Sequence, residues 1–206
     1  MAIDITFEEY REELEAVIRQ NPNEADLYPL VWCLLKSCGS FGDLSVRCTA
    51  NLQHSEKVST DSRLYSYLWT KQDGSAAYKY GSLDFVIFKK NSFFDIDSPV
   101  GAIEVKVHYL TLDKHHDNIR NAIQLTRGLN KFGTVIYTNG LEWKAVKNGM
   151  AFDDADTVCL GVYTDKNGDP VNDEKRFVLS DDRIKWNGEE SWNDLKNMLD
   201  NIKWGK

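Results

Sequence analysis

Three charged side chains interrupt two apolar segments in the middle of the chain. The first segment, "SLDFVIFKK" (82–90), contains Asp84, and the second, "VGAIEVKVHYL" (100–110), contains Glu104 and Lys106. Both segments are rich in β-branched and aromatic residues, so they predict buried strands. A buried carboxylate normally has a counter-charge, hydrogen bonds or a metal ion, because burying it alone is costly. These three residues are therefore the first candidates for chemistry.

Asp84, Glu104 and Lys106 have the residue types of a metal site for phosphodiester hydrolysis. Residues two apart share a face of a strand, so Glu104 and Lys106 point together while Ile103 and Val105 point into a core. Two neighbouring carboxylates raise each other's pKa unless a cation such as Mg²⁺ keeps both ionised. A lysine beside them can orient a water or stabilise charge on a phosphate. The alternative is a structural salt bridge between Lys106 and either carboxylate.

An acidic residue on one strand, Glu-x-Lys on the next, then a helix and a further strand resembles the PD-(D/E)XK nuclease superfamily. The matching residues are Asp84 and Glu104-Val105-Lys106, and the similarity extends over about residues 24–146. The segment "VIYTNGLEWKAV" (135–146) is similar to part of the nuclease domain of type I restriction motor subunits. Leu83 stands where many members have proline.

The resemblance implies a restriction-endonuclease-like core, Mg²⁺ as cofactor with Mn²⁺ as a substitute, and three further site residues. Glu24, in the first core helix, corresponds to an additional acidic residue of many members. Gln124 corresponds to an active-site glutamine of some members. The backbone carbonyl of Val105 would join Asp84 and Glu104 as a metal ligand. For Glu24 the alternative is an acid that only stabilises a helix start, and for Gln124 a solvated helix face.

Three more triplets of the form acid-x-Lys occur in the chain, at residues 142–144, 173–175 and 194–196. Glu142 follows a hairpin turn and has no acidic residue on a preceding strand. Asp173 lies in a polar turn, and Asp194 lies in a predicted helix, where residues two apart do not face together. We therefore place the site at Glu104, and we expect Glu142 and Lys144 to be surface charges.

The pattern of apolar residues predicts a mixed α/β fold with a central sheet flanked by helices, followed by C-terminal strands and a helix. Asn139-Gly140 predicts a tight hairpin turn. The predicted helices cover about residues 7–19, 24–36, 113–131 and 191–202, and the predicted strands cover 43–50, 63–71, 82–90, 100–110, 133–138, 141–146, 157–164 and 175–180. The length of 206 residues suits one stand-alone nuclease domain (1–206), with a core of about 22–148 and an extension of about 149–206.

The net charge of −7 argues against a protein that coats nucleic acid through its overall field, but residues 105–135 are locally basic. We expect the helix at 113–131 to bury Ile119, Ala122, Ile123 and Leu129. Its opposite face then carries Gln124 within a basic stripe that follows a phosphate backbone into the site. The stripe consists of Arg120, Arg127 and Lys131. Lys89, Lys90 and the alternating aromatic residues Tyr65, Tyr67 and Trp69 are weaker candidates for nucleic-acid contacts.

The favoured function is a Mg²⁺-dependent nuclease acting on DNA, with RNA as the alternative substrate. The competing hypothesis is a catalytically idle nuclease fold that serves as a DNA-binding, regulatory or defence-countering protein. We expect the His115-His116 pair to lie on the surface without binding metal, and the four cysteines, which lack CxxC spacing, to be buried reduced thiols. No apolar run could span a bilayer and no signal-peptide pattern is present, so we expect a cytoplasmic protein without a membrane partner. Homodimerisation remains open.

Overall fold

The computed structural model describes residues 4–20, 23–49, 83–90, 99–171 and 183–204. Within these ranges the helices are α1 (Phe7–Gln20), α2 (Tyr28–Ser37), α3 (Leu112–Asp117), α4 (Ile119–Phe132) and α5 (Glu189–Asp200). The strands are β1 (Leu44–Cys48), β2 (Phe85–Lys89), β3 (Pro99–Val105), β4 (Thr134–Thr138), β5 (Glu142–Lys147), β6 (Asp156–Cys159), β7 (Gly161–Tyr163) and β8 (Ile184–Trp186). The strands predicted at 63–71 and 175–180 lie outside the described residues.

Strands β1 to β6 form one mixed sheet in sequence order. Only the β3–β4 pair is parallel among its five pairings, and the others are antiparallel. A parallel pair needs a long crossover, and here α3 and α4 supply it. β7 and β8 form a separate antiparallel ribbon. The predicted α/β class with a central mixed sheet is therefore confirmed.

The alternation of side chains along the strands divides the apolar core between the two faces of the sheet. Phe85, Ile87 and Ile103 belong to the cluster that contains the buried residues of α1, α2 and α5. Val86 and Ala102 belong to the cluster that contains the buried residues of α4. Helices thus cover both faces, and the two strands predicted to carry the site lie between them.

The predicted helix at 113–131 is two helices. Asn118 separates them with extended backbone (φ −73°, ψ 116°), and its side chain accepts a hydrogen bond from the N–H of Arg120 at the start of α4. An asparagine at this position satisfies a helix N-terminus, which is why a new helix begins there.

The predicted buried face of this helix is wrong. Ile119 is 74% and Ile123 is 43% exposed, and Ala122 and Leu129 are only partly buried. The helix instead buries Leu125, Gly128 and Phe132. The physical reason is close packing on the sheet: a Cβ on Gly128 would lie 2.7 Å from Leu83 Cδ1. Val135 Cγ2 would lie 3.2 Å from the same Cβ, so glycine lets this face of the helix approach Leu83 and Val135 without moving them.

The remaining elements follow the prediction with shifted ends. α1, α2, α5 and the β4–β5 hairpin form where expected, and Gly140 has the positive φ (88°) that a tight turn favours. β3 ends at Val105, so Lys106 lies just beyond the strand. The strand predicted at 157–164 divides at Leu160 into β6 and β7. In the part of the chain described, no helix has the length and apolar character needed to cross a bilayer.

Candidate active site

The register between β2 and β3 brings Asp84 and Glu104 together. Phe85 pairs with Ile103 in the antiparallel ladder, and continuing that register by one residue places Asp84 opposite Glu104. Both carboxylates are buried, Asp84 being 4% and Glu104 2% exposed. The structure thus places Asp84 and Glu104 next to each other, as the sequence led us to expect.

Two hydrogen bonds hold the Asp84 carboxylate. The Tyr28 hydroxyl donates to Oδ1 at 2.5 Å, and the backbone N–H of Val105 donates to Oδ2 at 2.7 Å. Burial raises the pKa of Asp84, and these two bonds together with the charge of Lys106 only partly oppose that rise. Ionising Asp84 is therefore less favourable here than in water, and a further positive charge nearby would favour it.

Lys106 forms an ion pair with Glu104. Its Nζ donates to Oε1 of Glu104, and the lysine is itself only 7% exposed. Burial is the largest influence and would lower the pKa of Lys106, but the charge and hydrogen bond of Glu104 together with the charges of Glu24 and Asp84 outweigh it, so the net shift is upward. Burial and then the charge of Asp84 raise the pKa of Glu104 well above its usual range, in spite of Lys106. The salt bridge that the sequence allowed as an alternative is therefore present, and it involves the same residues as the hypothesised metal site.

Glu24 reaches this cluster from the short 3₁₀ turn Glu24–Leu27 that precedes α2. The turn begins at Asn23, whose side chain accepts the N–H of Ala25 at 3.3 Å. Burial and then the charge of Asp84 raise the pKa of Glu24 to about 7, while Lys106 and a hydrogen bond with Tyr28 oppose the rise. The structure thus brings the four predicted residues Glu24, Asp84, Glu104 and Lys106 together.

The other predicted residues lie on α4. Arg120 and Arg127 are exposed, whereas Gln124 and Lys131 are half-buried at the boundary between the exposed and buried faces. Lys131 lies 5.7 Å from the centroid of the Phe132 ring, and burial lowers its pKa to about 8. In the basic stripe, Arg120 and Arg127 are therefore open to solvent, whereas Lys131 is partly covered.

The competing triplets have structural partners. Glu142 accepts the N–H of Leu112 at 2.8 Å and so caps the start of α3. Lys144 is buried, contrary to its expected surface position, because its Nζ lies 3.0 Å from Asp113 Oδ1 and 4.1 Å from the Phe152 ring centroid. Lys196 pairs with Asp4 at 3.4 Å. Residues 173–175 lie outside the described residues, as do Tyr65, Tyr67 and Trp69.

The histidine pair is a packing feature, and its expected surface location is wrong for His115. His115 is buried and its Nε2 lies 3.0 Å from the carbonyl oxygen of Val107. His116 stacks on Phe152 with ring centroids 4.0 Å apart. All four cysteines are free, but only Cys38 is buried and Cys48 is exposed, which corrects the expectation that all are buried.

Two tyrosines of the site were missed. Tyr28 is four residues after Glu24, one helical turn, so the spacing of the sequence could have suggested it. Tyr137 pairs with Glu104 in the parallel register of β3 and β4. That register is set by the crossover helices and is not visible in the sequence.

The donor set fits a divalent cation held by few protein ligands. Among the described residues, no group of three or more His, Cys, Asp and Glu residues has the geometry to hold a metal ion. Mg²⁺, however, is usually bound through one or two carboxylates, with waters and phosphate oxygens as the other ligands. Asp84 and Glu104 are such a pair, and Glu104 Oε2 is buried without a hydrogen-bond partner in the described ranges.

Comparisons with known proteins leave the chemistry to be argued from the site. No family model, curated protein or solved structure matched this chain.

Proposed function

We propose that this protein is a Mg²⁺-dependent nuclease with a restriction-endonuclease-like core, acting on DNA. One observation carries the proposal: the carboxylates of Glu24, Asp84 and Glu104 lie in one cluster with the ammonium of Lys106. Among the described residues, Lys106 is the cation whose charge lowers the pKa of all three carboxylates. The cluster thus has an excess of buried or half-buried negative charge, which a divalent cation would neutralise.

The raised pKa values support a cation as the missing partner. Each carboxylate has a pKa above its usual range, which means that the protein alone disfavours its ionised form. A bound divalent ion would be the largest local charge and would invert this preference. Asp84 and Glu104 would hold the ion, with the carbonyl of Val105 as a further ligand and Glu24 at the edge of the pocket.

The proposed reaction is hydrolysis of a phosphodiester bond. An oxygen of water bonds to phosphorus, the bond between phosphorus and one ester oxygen breaks, and that oxygen leaves with a proton. The bound ion supplies activation of water and neutralisation of phosphate charge. Lys106 contributes a positive charge that can hold the attacking water or the phosphate, and Gln124 would orient one of them. Arg120, Arg127 and Lys131 would contact the phosphate backbone.

The second candidate is a catalytically idle member of the same fold that binds DNA or regulates another protein. The Lys106–Glu104 ion pair and the two hydrogen bonds on Asp84 favour it, because they partly satisfy the buried charges without a metal. Only the first candidate predicts metal-dependent cleavage.

The test is a panel of substrates incubated with the wild-type protein. Supercoiled DNA, linear duplex DNA, single-stranded DNA and RNA would each be treated in Mg²⁺, in Mn²⁺ and in EDTA. The proposal predicts cleavage of at least one DNA substrate with either metal and none in EDTA. Cleavage of RNA alone would identify RNA, and not DNA, as the substrate. No cleavage of any substrate would favour the catalytically idle alternative.

A further inference from the structure

Tyr137 lies next to Glu104 on the neighbouring strand. The two residues are partners in the parallel register of β3 and β4. The Tyr137 side chain is buried, with its ring edge-to-face against Phe152 at 5.7 Å, and Lys106 Nζ lies 5.9 Å from its ring centroid. Tyr137 therefore lies beside the Lys106–Glu104 pair.

The hydroxyl of Tyr137 lacks the partner that buried tyrosines normally have. In the described ranges it makes no hydrogen bond, and the same holds for Glu104 Oε2. Tyr10, which is equally buried, donates its hydroxyl to the carbonyl of Gly140 at 2.8 Å. Leaving a buried hydroxyl unpaired is costly, so a protein that keeps one has a use for it outside simple packing.

The chemistry of the phenol indicates what it would bind. A tyrosine hydroxyl has an ordinary pKa of about 10. The hydroxyl therefore stays neutral and protonated at ordinary pH, and beside carboxylates a neutral hydroxyl is a hydrogen-bond donor. Glu104 Oε2 is the buried acceptor of the same cluster that has no donor among the described residues.

We propose that Tyr137 is a positioning residue that acts through Glu104: its hydroxyl donates to the Oε2 side of the carboxylate through one water and holds Glu104 in the orientation that binds a divalent cation. This inference rests on the proposed metal site.

A second holder for Glu104 is needed because Lys106 cannot fill that role alone. The ammonium of Lys106 would be repelled by a divalent cation on the same carboxylate, which weakens the Lys106–Glu104 pair. The neutral hydroxyl of Tyr137 suffers no such repulsion. Donors of this kind, which orient a ligating carboxylate, commonly change metal affinity when removed.

The test compares Tyr137→Phe with Tyr10→Phe, two substitutions that remove one buried hydroxyl each. Mn²⁺ binding would be measured by calorimetry, and melting temperature would be measured in EDTA. Tyr137→Phe should weaken Mn²⁺ binding by about 10-fold and leave the metal-free melting temperature equal to or above that of the wild type. Tyr10→Phe should keep the Mn²⁺ affinity but lower the melting temperature by about 2–4 °C, because it loses a satisfied bond.

Three results would overturn the inference, and they differ in whether they also refute the metal site. Equal Mn²⁺ affinity of Tyr137→Phe and wild type would refute the role of Tyr137 and leave the metal site intact. Weaker binding with a melting temperature as low as that of Tyr10→Phe would show a structural hydroxyl. No Mn²⁺ binding by the wild type would refute the metal site and this inference together.

Discussion

The hydroxyl of Tyr28 donates a 2.5 Å hydrogen bond to Asp84, although 56 residues separate them in the sequence. The bond joins the first turn of α2 to the residue that precedes β2. Because Glu24 lies in the 3₁₀ turn directly before α2 and also bonds with Tyr28, the same contact fixes Glu24 beside Asp84. Tyr28 thus couples the first helical segment to the strand pair that carries the site.

Removing this bond should reduce activity more than it reduces stability. Tyr28→Phe leaves the ring and its edge-to-face contact with Phe85 in place, so unfolding should lose only about 1–2 kcal/mol. Cleavage in Mg²⁺ should fall by about 10–100-fold, because an outer-shell donor orients a ligating carboxylate. Urea unfolding and initial cleavage rates would measure the two effects. Unchanged cleavage in the folded variant would show that Tyr28 has no role in catalysis.

The three buried charges should respond differently to neutralisation in metal-free protein. Asp84→Asn should raise the melting temperature in EDTA, because it removes a carboxylate that repels Glu24 and Glu104. Glu104→Gln should lower the melting temperature, because it leaves the buried Lys106 without its ion-pair partner. Lys106→Met should lower the free energy of unfolding by about 3–5 kcal/mol, because it leaves a buried carboxylate without its cation. Thermal melts in EDTA would measure all three. Destabilisation by Asp84→Asn as large as that of Lys106→Met would show that the Asp84 carboxylate is structural.

The pH dependence of metal-free stability follows from the raised pKa values. A carboxyl group with a higher pKa in the folded state binds more protons when folded than when unfolded, so stability falls as pH rises between the two pKa values. For Glu24 this window runs from its ordinary pKa, about 4.3, to about 7. Urea unfolding in EDTA should therefore show less stability at the upper end of the window, and Glu24→Gln should reduce the slope. A wild-type slope equal to that of Glu24→Gln would contradict the shift.

The exposed arginines of α4 should account for part of the salt dependence of DNA binding. Replacing Arg120 and Arg127 with Ala should flatten the log–log salt slope by up to about two units, because two phosphate contacts and their released counterions are lost. The matched control replaces the exposed Lys166 and Lys185, which lie at the β7–β8 ribbon. Fluorescence anisotropy in Ca²⁺ across a salt series would measure both. Equal slopes for the two double variants would place the nucleic-acid surface away from α4.

Gln124 should affect turnover more than binding. Its amide carries no net charge, so Gln124→Ala should leave the salt slope unchanged while lowering the cleavage rate, as expected for a group that orients water or substrate. Cleavage under single-turnover conditions, beside the same anisotropy titration, separates the two effects. A cleavage rate equal to that of the wild type would leave Gln124 as part of a solvated helix face.

The sequence predicted those features that local patterns determine. Asn139-Gly140 indicated the β4–β5 hairpin, and the alternation of charge and apolar residues indicated that Glu104 and Lys106 share a face. The buried face of α4 was predicted wrongly, because Ile119 and Ile123 form a helical apolar pattern that the fold leaves exposed. The face that carries Gly128 packs closely against Leu83 and Val135 instead, and a single sequence does not show which surface will approach so closely.

The supporting residues of the site were less predictable than the charged ones. Asp84, Glu104 and Lys106 were visible because charge is rare in buried strands. Tyr28 and Tyr137 were not visible, since aromatic residues are common in helices and strands that simply pack. Their relation to the carboxylates depends on the position of α2 over β2 and on the register between β3 and β4. Long-range placement of this kind is set by the whole fold.

The most direct test compares Glu104→Gln with Glu142→Gln in Mg²⁺-dependent DNA cleavage. Both residues begin a Glu-x-Lys triplet, but Glu142 caps α3, and glutamine can still accept that hydrogen bond. Loss of a metal ligand should cost at least about 100-fold, the upper range for loss of an outer-shell partner, so Glu104→Gln should be nearly inactive. Glu142→Gln should stay within a few-fold of the wild type. Equal cleavage by wild type and folded Glu104→Gln would contradict the proposed site.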